Sequence, residues 1–172
     1  MPAEIKARPT LYKGIQMRSR LEADYAAHLD RTWQSWEYEP DCFAGPDGQW
    51  LPDFRVGGIV LQEVKPASLI RRREGETDYD IACRMDPILQ RMLIARESEP
   101  EVPLELVFWS YGAQEPDLCV VGVSGVPWLA AVGSLPLLMW QGMGQFADAY
   151  TRLNARTQPG NALLEFADRE AS

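Results

Sequence analysis

The sequence has few of the residues that build zinc centres and disulfide scaffolds. It contains one histidine, His28, and three widely spaced cysteines, Cys42, Cys83 and Cys119, which form no C-x-x-C pair. Structural zinc sites take four Cys or His ligands, and disulfide frameworks take paired cysteines in an oxidising compartment. We therefore expect three free thiols in a reducing compartment, and a helix-surface or core-edge role for the histidine.

Long hydrophobic runs are also missing. No apolar run reaches the roughly 18 residues that a membrane-spanning helix requires. The first ten residues, MPAEIKARPT, contain no hydrophobic segment of the kind found in secretory signals. The composition, 46% hydrophobic and 24% charged, is that of an ordinary globular protein. We expect one cytoplasmic domain that covers residues 1–172.

Positive charge is scarce, because 17 Lys and Arg stand against 25 Asp and Glu, for a net charge of −8. This balance argues against a non-specific nucleic-acid binder, which needs cations to contact phosphates. The charge is uneven, however. Residues 1–20 carry five bases and one acid, residues 65–73 four bases and no acid, and residues 97–117 six acids and no base. These runs are either solvated loops or the edges of one positive face.

Periodicity and turn residues predict a mixed fold. Ser19 can cap a helix that runs to about Thr32, with Leu21, Tyr25 and Leu29 on one stripe. Strand patterns follow at residues 35–39, 50–56, 59–65, 104–111 and 118–124, and helical patterns at 78–96, 145–153 and 161–168. Pro87 either kinks the helix at 78–96 or begins a second one. The order predicts an α/β (α+β) domain with helices on one central sheet.

Three charged residues lie on two strands that Gly57-Gly58 joins. Glu63 and Lys65 are two residues apart, so they share a partly apolar strand face, and Asp53 lies on the preceding strand. Charges on such a face are costly unless they are paired or functional. A divalent cation relieves the repulsion between two carboxylates, and Mg²⁺ favours one or two carboxylates with water and phosphate oxygens.

The hairpin register decides whether these charges meet. A two-residue Gly57-Gly58 loop would pair Val56 with Ile59 and turn Glu63 away from Asp53. A three-residue loop, or a bulge, would place Asp53 opposite Glu63. A shift of one residue exchanges the two faces of a strand. We predict the second register.

Four segments resemble the PD-(D/E)XK nuclease superfamily. Pro52-Asp53 followed by Glu63-Val64-Lys65 resembles its P-D…E-x-K signature. Met17–Glu22, Trp36–Pro40 and Leu51–Phe54 resemble a subgroup that includes phage-type junction-resolving endonucleases and the endonuclease subunit of cut-and-paste transposases. The resemblance covers about residues 12–66. It implies a restriction-endonuclease-like core of helix, three-stranded meander, helix and strand, here with an added strand and a C-terminal helix.

The resemblance also implies roles for individual residues. Asp53, Glu63 and Glu22 would bind Mg²⁺ (or Mn²⁺) through their side chains, and Val64 through its carbonyl, with one metal ion or two. Lys65 would position or help deprotonate the attacking water and stabilise charge in the transition state. For Glu22 another interpretation is open, since Ser19-x-x-Glu22 is also a capping box.

Several basic residues are candidates for DNA contacts. Arg18 and Arg20 either bind phosphates beside the site or solvate the start of the helix. Arg71, Arg72 and Arg73 either clamp DNA or form a solvated loop. The resemblance also makes Arg84 and Gln90, on the helix that follows, candidates for approaching the scissile phosphate.

The sequence thus predicts a metal-dependent endodeoxyribonuclease, with branched, junction or transposon-end DNA as its substrate. We expect a homodimer, and specificity that comes from DNA shape or from a protein partner. The apolar run at residues 126–140 either completes the sheet or forms the dimer interface. A non-catalytic DNA-binding or assembly protein of the same fold is the alternative, and an RNA nuclease is a third possibility.

Overall fold

The computed structural model describes residues 7–46, 48–122, 128–131 and 138–140. Its helices and strands in chain order are β1 (Thr10–Tyr12), β2 (Ile15–Met17), α1 (Arg20–Arg31), β3 (Trp36–Tyr38), β4 (Phe43–Gly45), β5 (Gly48–Trp50), β6 (Phe54–Val56), β7 (Val60–Pro66), α2 (Asp78–Met92), β8 (Leu104–Trp109), β9 (Leu118–Gly122), β10 (Trp128–Ala131) and β11 (Leu138–Trp140). Short 3-10 helices follow β7, at Ala67–Ile70, and α2, at Leu93–Glu97.

The central sheet has seven strands in the order β11-β10-β9-β8-β7-β6-β3. β7 and β8 are parallel, and every other neighbouring pair is antiparallel. A parallel pair needs a crossover connection, and α2 lies within the one between β7 and β8. The mixed α/β architecture is therefore as predicted.

Alternation along the strands divides the interior into two cores. On one face of the sheet, α1 packs through Tyr25 against Val64 and Trp109. On the other face, α2 packs through Met85 against Leu61 and Phe108. The apolar side chains of β7 and β8 thus belong alternately to the core beneath α1 and to the core beneath α2.

The predicted strand at residues 50–56 was wrong as a single element. Trp50 ends β5, which pairs with β4 in a separate two-stranded sheet, and β6 begins only at Phe54. Pro52 lies between them and has no N–H for a ladder, which explains the break. The three-stranded meander is present as β3, β6 and β7, with the β4–β5 hairpin inserted.

Other boundaries also differ from the predictions. Strand β8 ends at Trp109 rather than at residue 111, where a turn begins. The helix predicted at 78–96 is one α-helix that contains Pro87 and passes into a 3-10 helix after Met92. Strands β1, β2, β4, β10 and β11 were not predicted. Strands β10 and β11 extend the sheet within the apolar run at residues 126–140.

The predicted helices at residues 145–153 and 161–168 lie outside the described residues. In the part of the chain that the structure describes, no helix has the length and apolar character needed to cross a membrane.

Candidate active site

The β6–β7 hairpin has the predicted register. Val56 pairs with Val60 and Phe54 with Gln62, so three residues, from Gly57 to Ile59, form the loop. Both glycines have positive φ, at 60° and 73°, a region that other residues rarely adopt. Continued by one residue, this pairing brings Asp53 beside Glu63, which confirms the three-residue alternative.

Asp53 lies just before β6 and is fixed to the middle of β7. Its backbone N–H donates to the Gln62 carbonyl at 3.0 Å, and its Oδ2 accepts from the Val64 backbone N–H at 2.7 Å. The second oxygen, Oδ1, lies 2.5 Å from Nη2 of Arg18. The side chain is only 2% exposed. A carboxylate so buried needs all of these partners.

The environment of Asp53 disfavours its negative charge. Burial is the largest cause, and the neighbouring charges of Glu63 and Glu22 act in the same direction, so the pKa of Asp53 is raised well above its usual range. The Val64 N–H and the Lys65 ammonium oppose this shift. Crowded carboxylates of this kind are relieved by an added cation.

Glu63 has the same pattern of partners as Asp53. Its Oε2 accepts from Nε1 of Trp50 at 2.8 Å, and its Oε1 lies 2.5 Å from Nζ of Lys65. This contact confirms that Glu63 and Lys65 share a face. In both Asp53 and Glu63, one oxygen is held by a neutral N–H and the other faces a basic side chain. We call these two the cation-facing oxygens, Oδ1 of Asp53 and Oε1 of Glu63.

Glu22 approaches from α1 and is held by the β3 segment. Ser19 caps the helix by accepting from the Glu22 backbone N–H at 3.1 Å, as predicted, while the Glu22 carboxylate accepts from the Tyr38 hydroxyl at 2.6 Å. Tyr38 also accepts from the Arg18 backbone N–H at 2.8 Å. Nε of Arg18 lies 2.6 Å from Oε1 of Glu39. The Trp36–Pro40 segment thus contributes two of the site's side chains.

The side chains present suit a Mg²⁺ ion that is held by two carboxylates better than one that is held by four protein ligands. Among the described residues, no three His, Cys, Asp or Glu side chains are grouped to hold a metal ion. Mg²⁺ needs only one or two carboxylates when water and phosphate oxygens complete its shell. Asp53 and Glu63 supply those hard oxygens, whereas Glu22 is bound to Tyr38. In the structure Arg18 pairs with the cation-facing oxygen of Asp53, and Lys65 pairs with that of Glu63.

The basic loop after β7 is folded against α2. Nη1 of Arg72 donates to the Glu76 carbonyl at 3.0 Å, and the Arg73 backbone N–H donates to the Glu76 carboxylate at 2.7 Å. Arg84 donates to the carbonyls of Leu69 and Arg71 and pairs with the Glu76 carboxylate. In this conformation the guanidinium of Arg84 holds the loop in place.

Two further predicted residues have other surroundings. Gln90 is exposed and lines an open pocket between β5 and α2, together with Gly48, Gln49, Pro87, Arg91 and Ile94. His28 is buried beside Tyr25 and Trp109, and burial lowers its pKa. The expectation of a core-edge histidine is confirmed.

Sequence reasoning missed Trp50 and Tyr38 as individual site residues. Trp50 is buried, and its indole N–H also donates to Glu63. Its position three residues before Asp53 was an available signal. Tyr38 lay in a quoted motif without an assigned role.

The chain was compared with known protein families, with curated proteins and with solved structures, and none of them matched. The assignment of function therefore rests on the geometry of the site.

Proposed function

We propose that this protein is a metal-dependent DNA endonuclease of the PD-(D/E)XK type. The observation that carries the proposal is the β6–β7 register, which brings Asp53 beside Glu63 with Lys65 on the face of Glu63. The order of α1, the β3–β6–β7 meander, α2 and β8 supports a restriction-endonuclease-like core. The substrate would be branched, junction or transposon-end DNA.

The roles follow from the positions of the polar atoms. Asp53 and Glu63 would hold the ion through their cation-facing oxygens, while the Val64 N–H and the Trp50 indole keep the carboxylates oriented. A bound Mg²⁺ ion would lower the pKa of its water ligand and neutralise charge on the phosphate. Glu22 would complete the site through water, because its carboxylate accepts from Tyr38.

Lys65 would act on the water and on the phosphate. Its ammonium pairs with Glu63 and its side chain is 32% exposed, so it can turn from that carboxylate to a bound strand. There it would orient the attacking water, assist its deprotonation and donate to an oxygen that gains charge in the transition state. When the metal ion binds, Arg18 would leave the Asp53 carboxylate and bind a DNA phosphate instead.

Cleavage assays test the proposal. Wild type is incubated with linear, nicked, flapped and four-way DNA in Mg²⁺, Mn²⁺ or EDTA. We expect cleavage with metal only, and a loss of at least about 100-fold for Asp53→Asn and for Lys65→Met. Asp41→Asn is the matched control, because this carboxylate is 64% exposed and pairs with Arg55 rather than with Arg18 or Lys65.

The results separate the proposal from its alternatives. Equal cleavage by wild type and Asp53→Asn would assign the activity to a contaminant. Cleavage of single-stranded RNA but of no DNA would replace DNA by RNA as the substrate. Thermal melting of each variant establishes that it is folded.

A non-catalytic DNA-binding or assembly protein is the second candidate. One observation favours it: in the described conformation both cation-facing oxygens are already paired with basic side chains, as a purely structural site would be. DNA binding without cleavage of any substrate by wild type would establish this reading. A homodimer, or a partner that supplies specificity, is compatible with either candidate.

A further inference from the structure

An exposed aromatic ring lies on the far side of the α1 N-terminus from the carboxylates. Tyr111 is 56% exposed, and the guanidinium carbon of Arg20 lies 5.2 Å from its ring centroid. Arg20 and Glu22 are two residues apart in a helix, so they point to opposite sides. The first turn of α1 therefore separates the Arg20–Tyr111 pair from Glu22.

The turn that carries Tyr111 is built into the fold. The Ala113 N–H donates to the Ser110 carbonyl at 3.1 Å, and Gly112 has a φ of 67°, which suits glycine in a tight turn. Oδ2 of Asp24, on α1, accepts from the Gly112 N–H at 2.9 Å and from the Trp109 indole at 2.8 Å. The ring is thus presented by a pre-organised turn, which lowers the entropy lost on binding.

The strand register gives the separation from the site. Lys65 pairs with Phe108 on the parallel strand β8, and Tyr111 lies three residues further in the same direction. Strand β8 ends at Trp109 and Tyr111 lies in the turn that follows, so these three residues span at most about 10 Å. A nucleic-acid strand that has a phosphate at Lys65 would reach the Arg20–Tyr111 pair with a neighbouring nucleotide.

We propose that Tyr111 and Arg20 form a stacking subsite for an unpaired nucleotide next to the bond that is cut. A basic side chain over an aromatic ring attracts the phosphate backbone and leaves a flat surface for a base. In duplex DNA both faces of a base are covered by its neighbours, so a base is available only where it is unpaired or extruded. This inference rests on the proposed nuclease function and narrows its substrate to DNA with unpaired nucleotides at the cut.

Binding without cleavage tests the subsite. Fluorescence anisotropy in Ca²⁺ measures the Kd for a flapped DNA and for a matched full duplex. In the flapped DNA, 2-aminopurine replaces the first unpaired nucleotide, and quenching of its fluorescence reports stacking. We expect Tyr111→Ala to raise the Kd for flapped DNA about fivefold or more, with little change for duplex. Tyr111→Trp should retain the affinity and the quenching of 2-aminopurine.

A second exposed aromatic provides the control. Trp33 is 95% exposed and follows the C-terminal end of α1, so Trp33→Ala should change neither Kd. Equal loss of flap and duplex binding in Tyr111→Ala, no loss of flap binding, or no DNA binding by wild type would each overturn the subsite. Tighter binding of the same strand as RNA would overturn the assignment to DNA.

The two proposals fail separately. If flap binding depends on Tyr111 but wild type does not cut in Mg²⁺, the subsite stands and the nuclease activity is refuted. If wild type cuts and Tyr111→Ala keeps its preference for flapped DNA, the nuclease stands and the subsite is refuted.

Discussion

Each of the three predicted carboxylates, Asp53, Glu63 and Glu22, is oriented by a neutral donor from another part of the chain. The Val64 N–H holds Asp53, the Trp50 indole holds Glu63 and the Tyr38 hydroxyl holds Glu22. Such donors fix the orientation of a carboxylate while leaving its second oxygen for a cation, and metal sites depend on them. The donors can therefore be tested separately from the carboxylates.

Replacing Trp50 by phenylalanine tests the donor to Glu63. The variant keeps a buried aromatic ring but loses the indole N–H, so Glu63 can rotate away from its cation-facing position. We expect Mn²⁺ affinity, measured by electron paramagnetic resonance, to fall about 10-fold or more.

Trp109→Phe is the matched control for this variant. Trp109 is also buried, and its indole N–H donates to Asp24, which is not one of the site's carboxylates. The Trp109→Phe variant should lose a comparable hydrogen bond and about 1 kcal/mol of stability, and its Mn²⁺ affinity should not change. Equal effects of the two substitutions on Mn²⁺ binding would show that Trp50 acts only through packing.

Arg18→Gln tests competition between a basic side chain and a metal ion. Nη2 of Arg18 lies at the cation-facing oxygen of Asp53, so a metal ion must displace it. We expect the variant to bind Mn²⁺ roughly 10-fold more tightly in the absence of DNA, which corresponds to a gain of about 1.4 kcal/mol in binding free energy.

The same variant should bind DNA more weakly, because one phosphate contact is lost. Arg20→Gln is the control for metal binding, since Arg20 stacks on Tyr111 and should leave the Mn²⁺ affinity unchanged. Unchanged or weaker Mn²⁺ binding by Arg18→Gln would contradict the competition.

At the scale of elements, Asp30 joins the β1–β2 hairpin to α1 and β3. Its carboxylate accepts from the Tyr12 hydroxyl at 2.6 Å and from the Trp36 indole at 3.0 Å, and Nζ of Lys13 lies 2.8 Å from it. The hydrogen bonds from Lys13, Tyr12 and Trp36 lower the pKa of Asp30 to about 2. Three elements thus share one carboxylate.

Asp30→Asn should make stability depend less on pH. A carboxyl whose pKa is lowered by folding adds stability above its ordinary value of 3.8, and this stability is lost as the pH falls through about 2. Because this group is partly exposed, we expect the variant to have a free energy of unfolding about 1 kcal/mol lower than wild type at neutral pH. Urea unfolding of both proteins at a series of pH values measures the difference, which should shrink steadily below about pH 4. A constant difference would contradict this account.

At the scale of the whole molecule, a net charge of −8 limits the number of phosphate contacts. Arg18 precedes α1 and Lys65 lies near the end of β7, both paired with carboxylates of the site, whereas Arg20 lies in the first turn of α1 on its other side. Three such contacts predict that log Kd changes with log salt with a slope of about 3. Anisotropy titrations between about 50 and 300 mM salt measure it. A slope of about 5 or more would show that about three further basic residues bind DNA, as Arg71–Arg73 would.

The local parts of this site were predictable from the sequence. The cap at Ser19, the stripe of α1 and the shared face of Glu63 and Lys65 depend on residues a few positions apart. The turn after Val56 was also predictable, but its length was open between two registers. Glycine permits either loop, so the turn residues alone could not decide the register.

The sequence by itself determined which residues carry charge and which local structures they can form. Three contacts were decided only by the tertiary structure. Trp50, from an inserted hairpin, donates to Glu63, and Arg18 pairs with Asp53. The ring of Tyr111 packs against the guanidinium of Arg20. These pairs are separated by 13, 35 and 91 positions in the chain. Periodicity and capping report neighbours within a few residues, whereas such long-range contacts form only when the helices and strands pack.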